Sequence, residues 1–204
     1  MLLRSIHVGP IETNCYLLGA DGRCCLVDPG GDGPDILEMV RLSGLALDAI
    51  LLTHGHWDHH NGISEVLAAY PDLPVYIHKD ELFHGQEATP HYFFPPAGDV
   101  RTVEDGDTIQ AGGLTFQVLC TPGHSAGSLV YLCGDVMIAG DTLFAGTCGR
   151  CDLPGGGLEP MMESLRRLGA LEGDYKVCPG HGGTSTLEEE RRHNPYMRQA
   201  MREL

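Results

Sequence analysis

Positive charge is scarce in this chain. Thirteen Lys and Arg stand against 28 Asp and Glu in 204 residues, a formal net charge of −15. No basic run interrupts that balance. No nucleic-acid partner is therefore expected, since binding a polyanion rests on neutralising its phosphates with Lys and Arg. Long apolar runs are missing as well. Nothing approaches the roughly 18 uninterrupted apolar residues of a membrane-spanning helix, so no membrane span is expected. A secretory pattern is also lacking. Met1–Val8 carries Arg4 and His7 and leads straight into strand-like sequence, without a charged start, an apolar core and a cleavage site. The eight Cys (Cys15, Cys24, Cys25, Cys120, Cys133, Cys148, Cys151 and Cys178) mostly sit in apolar strand-like runs. Free Cys behaves there as a small hydrophobe, and the expectation is a reduced, cytoplasmic protein without disulfides.

What is present suits one domain over residues 1–204. Gly at 28 and Pro at 13 imply many turns, which fits alternating short strands and helices better than a bundle. Strands are predicted at Leu2–Val8, Asn14–Leu18, Arg23–Val27, Ala49–Leu52 and Val75–His78. Helices are predicted at Pro34–Leu42, Ile63–Ala69 and, briefly, Lys79–Phe83. A second series of strands follows at Val100–Val103, Thr108–Gln110, Leu114–Cys120, Ser128–Cys133, Val136–Ala139 and Lys176–Cys178. The later helices are predicted at Leu158–Leu168 and Leu187–Arg198. The order suggests two similar halves whose sheets face each other, with helices outside. Between His84 and Gly98 lies an irregular aromatic loop. Its Tyr92, Phe93 and Phe94 are candidates for lining a substrate site, the alternative being aromatics that fold back to fill the core edge.

The chemistry concentrates in residues 53–62, Thr-His-Gly-His-Trp-Asp-His-His-Asn-Gly. His54, His56, Asp58 and His59 fall where an apolar strand ends and a helix begins. In extended chain, side chains alternate, so His54, His56 and Asp58 can point one way while His59 enters the helix and faces elsewhere. Neutral imidazoles and a carboxylate in such density suit zinc, iron or manganese, and the segment can serve two metals at once. Three further positions match in character: His124 after Leu114–Cys120, Asp141 after Val136–Ala139, and His181 after Lys176–Cys178. Each stands just past a strand end beside Gly, which lets backbone approach a centre closely.

His-x-His-x-Asp-His at 54–59, followed by His124, Asp141 and His181 in that order, resembles the metallo-β-lactamase superfamily over essentially the whole chain. The resemblance implies an α+β fold, a four-layer αββα sandwich of two facing mixed sheets with outer helices. It implies two divalent cations, zinc first, with iron or manganese also suited. His54, His56 and His124 would hold one, Asp58, His59 and His181 the other, and Asp141 would bridge them. Asp stands at 141 where the lactamase class best known for this fold has Cys, which disfavours antibiotic hydrolysis. Gly140–Gly146 with Cys148-Gly149-Arg150, Asp152–Gly156, and Pro179–Gly182 with Asn194-Pro195 are similar to short members of the glyoxalase II branch, the hydroxyacylglutathione hydrolases.

That likeness implies a small-molecule acyl-thioester substrate, attacked by a metal-bridging hydroxide, with Asp58 as both ligand and proton acceptor. Full-length glyoxalase II carries a C-terminal helical region holding glutathione. This chain stops at Leu204, so acyl-thioester chemistry is better supported than glutathione as the thiol. Arg150 is expected behind the ligands, pairing with a ligand carboxylate, the alternative being a plain surface ion pair, and His60 is expected as a further supporting group. A mononuclear iron persulfide dioxygenase shares the fold and the Gly-Arg-x-Asp neighbourhood at 149–152 and is the competing reading. Lactone or other ester hydrolysis is the third, because function resides in the site rather than the architecture.

Overall fold

Side-chain alternation in the strands decides the layering. In β2 (Thr13–Ala20), Cys15 and Leu17 pack to one side and Tyr16 and Leu18 to the other. In β3 (Arg23–Val27), Cys24 and Leu26 divide from Cys25 and Val27 in the same way. Strands buried on both faces lie in the middle of a sandwich. A computed structural model describes residues 1–82, 90–93 and 98–202 and shows that sandwich.

The first sheet has six strands in the order β1-β2-β3-β4-β5-β6, where β1 is Leu2–Val8, β4 Ala46–Leu51, β5 Pro74–His78 and β6 Asp99–Val103. Its first two pairings are antiparallel and the rest parallel. The second sheet runs β14-β13-β10-β9-β8-β7. Here β7 is Thr108–Ala111, β8 Leu114–Cys120, β9 Leu129–Cys133, β10 Val136–Gly140, β13 Lys176–Pro179 and β14 Ser185–Thr186. Only β10 and β13 pair in parallel. A two-stranded ribbon, β11 (Leu143–Phe144) with β12 (Thr147–Cys148), projects beyond β10.

Three apolar layers result. The central one joins Tyr16, Val27 and Leu51 of the first sheet to Phe116, Tyr131 and Ile138 of the second. Outside the first sheet, Leu17, Leu26 and Ile50 meet Ile36 and Val40 of α1 (Gly33–Ser43) and Ile63 and Val66 of α3 (Ile63–Ala69). Outside the second, Val130, Met137 and Val177 meet Met161, Leu165 and Leu168 of α4 (Leu158–Gly169). The αββα expectation therefore holds.

The long terminal helix predicted at Leu187–Arg198 is instead two: α5 (Leu187–His193) and α6 (Pro195–Ala200). Pro195 pushes the residue before it out of the helical region, and Asn194 sits at φ −69°, ψ 117°. Fully buried Asn194 caps the new helix by accepting from the Tyr196 and Met197 amides, an arrangement typically worth about 1 kcal/mol. The helix predicted at Lys79–Phe83 is a single 3-10 turn, Lys79–Glu81. Phe83, His84 and Phe94 lie outside the described residues. Among the described residues no helix is long and apolar enough to cross a membrane.

Candidate metal centre

Within the first sheet β3 and β4 run the same way, and within the second β8, β10 and β13 do. Their C-terminal ends carry Asp28, His54, His124, Asp141 and His181 to one rim of the sandwich. The sheets are stitched together there. The Asn14 amide donates to the Gly180 carbonyl at 2.7 Å and the Leu129 amide to the Thr53 carbonyl at 2.8 Å. A short helix after β4, α2 (Trp57–His60), turns both Asp58 and His59 inward and buries them. His59 thus does not face elsewhere, as the alternation had suggested. It is the next residue of the same short helix and meets the same centre as Asp58.

The seven ligand-type side chains converge. His124 Nε2 lies 2.9 Å from His56 Nδ1. His54, His56 and His124 each offer an atom within 4.8 Å of the others. So do Asp58, His59 and His181, with His181 Nε2 at 3.2 Å and His59 Nε2 at 3.3 Å from Asp58 Oδ2. Asp141 stands between the trios. Its Oδ1 is 3.4 Å from His59 Nε2, and its Oδ2 is 3.5 Å from His124 Nε2 and 3.6 Å from His181 Nε2. An overlapping trio, His54, His59 and Asp141, marks the two halves as contiguous. The approach needs Gly180, where an added Cβ would come within 2.1 Å of Asp141 Oδ1.

The donor set fits cations. His54 Nε2, His56 Nε2, His59 Nε2 and Asp141 Oδ1 are buried without a hydrogen-bond partner, a costly state unless something else binds them. The hydrogen-bond network sets the tautomers. The Thr53 hydroxyl donates to Asp28 at 2.7 Å, so His54 Nδ1 donates to that hydroxyl at 3.0 Å and leaves Nε2 bare. His124 Nδ1 donates to the Arg150 carbonyl at 2.9 Å, which leaves its Nε2 bare. His59 Nδ1 donates to Asp28 at 2.9 Å. A ligand imidazole held through its far nitrogen is the usual arrangement at metal sites.

The electrostatics divide the centre. Burial and the neighbouring histidines depress His56 to about 3 and carry His54 well below its ordinary value. For His59, burial works downward, but the carboxylates of Asp141, Asp28 and Asp58 outweigh it and raise it well above the ordinary value. His181 is raised by Asp58 and Asp141 against the same opposition from burial. Burial would push Asp58 up, yet hydrogen bonds with His181, His59 and Thr13 hold it well below the usual carboxylate range.

Several supporting residues escaped the sequence reading. Asp28 takes the Thr53 amide and hydroxyl as well as His59. The Thr13 hydroxyl donates to Asp58 at 3.0 Å. Asn14 and Tyr16 donate to the Pro179 carbonyl beside His181. Asp28 carries the same signal as Asp141, an acid at a strand end next to Gly-rich chain. Thr13 carried none.

Two expectations need correction. The Arg150 guanidinium does not pair with a ligand carboxylate. It forks onto Asp152 at 2.7 and 2.8 Å with 63% of its side chain exposed, and its contribution to His124 comes through the backbone carbonyl. Phe93 does not line the substrate space. It is 1% exposed, packed in the outer core of the first sheet and edge-on to His60 at 5.0 Å. An aromatic ring without a polar handle gains more from that core than from the rim. His60 touches Phe93 rather than a ligand carboxylate, and burial together with His59 lowers it to about 4. Tyr92 is half-buried, and Phe94 falls outside the described residues. Among the described residues of the loop, Pro90 and His91 line a cavity of about 460 Å³ together with His56, Asp58, His124, Asp141 and His181. Ile11, Trp57, Phe144 and Leu153 form its apolar walls and Arg150 part of its mouth.

Comparison with known proteins agrees with this geometry. The family model of the metallo-beta-lactamase superfamily matches residues 8–181. A probable metallo-hydrolase, YqgX, of Bacillus subtilis (strain 168) is 36% identical over 213 residues, covering 97% of this chain and 98% of its own. A hydroxyacylglutathione hydrolase of Erwinia tasmaniensis is 40% identical over 160 residues, covering 78% of this chain but 57% of its own. Among solved structures, BLEG-1, a B3 metallo-beta-lactamase, aligns with a TM-score of 0.84 at 33% identity over 96% of this chain and 99% of that one. TTHA1623 in a di-iron-bound form aligns with a TM-score of 0.80 at 33% identity over 95% and 99%.

Proposed function

The chain belongs to the metallo-beta-lactamase superfamily, and from that membership we propose that it is a hydrolase of acyl thioesters working with two divalent cations at the Asp141 cluster. The observation that carries the reading is the convergence of seven ligand-type side chains, several with orphaned buried atoms, on one carboxylate at the base of a cavity. The hydroxyacylglutathione hydrolase similarity and the Gly140–Gly146 and Cys148–Arg150 stretches favour a thioester as substrate.

His54, His56 and His124 would hold one cation, Asp58, His59 and His181 the other, with Asp141 shared. Bound there, the cations supply an acidified water and a Lewis acid for the carbonyl oxygen. The chain's own residues do the rest. Ile11, Trp57, Phe144 and Leu153 shield the cavity and hold the apolar parts of the ester. Asp58, oriented by Thr13, would accept a hydrogen bond from the attacking water and its proton, and pass that proton on to the departing thiolate or to solvent. The departing thiol has an ordinary pKa of about 8.5, so it leaves as thiolate with little acid assistance.

The test is thiol release by the cation-loaded protein, measured beside a lactone, a β-lactam and a persulfide with oxygen uptake. The expected outcome is a kcat/KM for hydroxyacyl thioesters at least about 100-fold above the other substrates, some 2.7 kcal/mol of transition-state preference. Oxygen consumption with persulfide and no thiol release would overturn the proposal in favour of a dioxygenase. Preferential opening of the lactam or lactone would replace thioester with that ring.

A further inference from the structure

The first trio, His54, His56 and His124, contains no carboxylate of its own, and Asp141, 3.5 Å from His124, is shared with the second trio. Glu81 stands at the end of the 3-10 turn after β5 and is 1% exposed. Its Oε2 accepts from the Gly55 amide at 2.6 Å, and its Oε1 accepts from the Gly127 amide at 2.6 Å. Gly55 lies between His54 and His56. Gly127 belongs to the loop that carries His124. The carboxyl group therefore bridges the two loops of the first trio, one from each sheet. The Glu81 carbonyl also accepts from the Phe93 amide at 2.8 Å, which ties in the segment bearing His91.

The joint is closed on every side. A Cβ at Gly55 would come within 2.7 Å of the Glu81 carbonyl and of the Phe93 nitrogen. At Gly127 it would meet His78 Nδ1 at 2.6 Å and Glu81 Cγ at 2.9 Å. Each carboxyl oxygen accepts from a backbone N–H of a different loop, so the group is tied to both. Charge-assisted bonds of this kind are short and roughly twice as strong as neutral ones.

We infer that Glu81 is a positioning residue for the first cation. It sets the separation of the His54–His56 turn from the His124 loop and places a negative charge one peptide unit behind the trio. Asp28 serves the second trio through the His59 ring and reaches His54 of the first through the Thr53 hydroxyl. Glu81 serves the first through backbone, with no ligand side chain between. This inference rests on the two-cation reading of the cluster, and its test is separable from that reading.

Glu81→Gln keeps the volume but offers one acceptor where two donors wait, and it removes the charge. Glu81→Asp keeps the charge with a shorter reach. Each apo protein is titrated with Zn²⁺ by calorimetry and with Co²⁺ followed by its visible spectrum, also in a His181→Ala background that isolates the first trio. Outer partners of metal ligands typically contribute about 10–100-fold in metal affinity. Glu81→Gln should weaken the first cation within that range, about tenfold or more, and the second by less than about threefold, with Glu81→Asp recovering part of the loss. Equal weakening of both cations, or unchanged isotherms with only a lower Tm, would overturn the inference. If Glu81→Gln does not fold, Glu81→Asp alone must still weaken the first cation more than the second, and parity overturns it. A wild-type protein that takes up no cation would instead overturn the two-cation reading itself.

Discussion

The two trios are built from nearly the same residue types and behave as opposites. His54 and His56 sit among other imidazoles, and burial holds them neutral far into acid. His59 and His181 sit against Asp58, Asp141 and, for His59, Asp28, and are raised. In the first trio His56 Nδ1 and His124 Nε2 share a hydrogen bond at 2.9 Å, and none of the three members is a carboxylate. In the second, the raised imidazoles stand 3.2 to 3.4 Å from carboxylate oxygens, so a cation must displace protons held there by negative charge. An imidazole is thus made a ready ligand or a stored proton by the carboxylates around it, not by its own identity.

The largest disturbance of that contrast is Asp141→Asn. Asp141 is the group both trios share, at 3.5 Å from His124 and 3.4 Å from His59. Removing its charge should lower the occupancy of at least one cation by more than the roughly 100-fold typical of outer partners, and cut turnover with it. Metal analysis of the purified variant checks this. Full loading of two cations at an unchanged rate would remove Asp141 from between the trios. The next effect is narrower. His181→Ala deletes a ligand of the second trio alone, and His181 is the more exposed partner of Asp58, with 27% of its side chain accessible against 10%. One equivalent of cation should be lost while the other binds within about threefold of wild type. Equal loss of both would mean that the trios act as a single unit.

The same contrast explains what could be read from the chain before its structure. Ligand-type side chains are few in kind and sit in motifs at strand ends, so the convergence of His54, His56, Asp58, His59, His124, Asp141 and His181 was legible, helped by family resemblance. The strands were legible from alternation, and β1, β3, β8 and α3 begin and end where the pattern places them. What supports the ligands was not. Thr13 and Glu81 are single polar residues with no motif around them until the fold brings them behind the trios, and Asp28 shares the strand-end signal of Asp141 without a histidine motif to single it out. Arg150 misled because a long cation has a choice of partners, and Asp152 two residues on is reached without burial. For Phe93 the sequence left rim and core both open, because an aromatic in an irregular loop suits either, and the fold takes the core. The helix break at Asn194-Pro195 was written in the sequence as a proline and read only as motif.

The smallest effect is graded rather than all-or-none, and it needs no mutation. Cations bind neutral imidazole, so protons compete wherever the free site's histidines hold them. For the second trio, the raised His59 and His181 values place that competition above the ordinary value of 6.5. As pH falls through those values, apparent affinity should drop by about tenfold per unit for each proton displaced. For the first trio, His56 at about 3 and His54 well below its ordinary value add no competition between pH 7.5 and 5.5. Calorimetric titrations with Zn²⁺ across that range should therefore show the second binding step weakening about 100-fold or more while the first moves little. The second step should also release protons to the buffer, which repeating the titration in buffers of different ionisation enthalpy would detect. Steps that fade together would mean that the carboxylates act on the whole cluster, and that the separation into a ready half and a proton-loaded half is wrong.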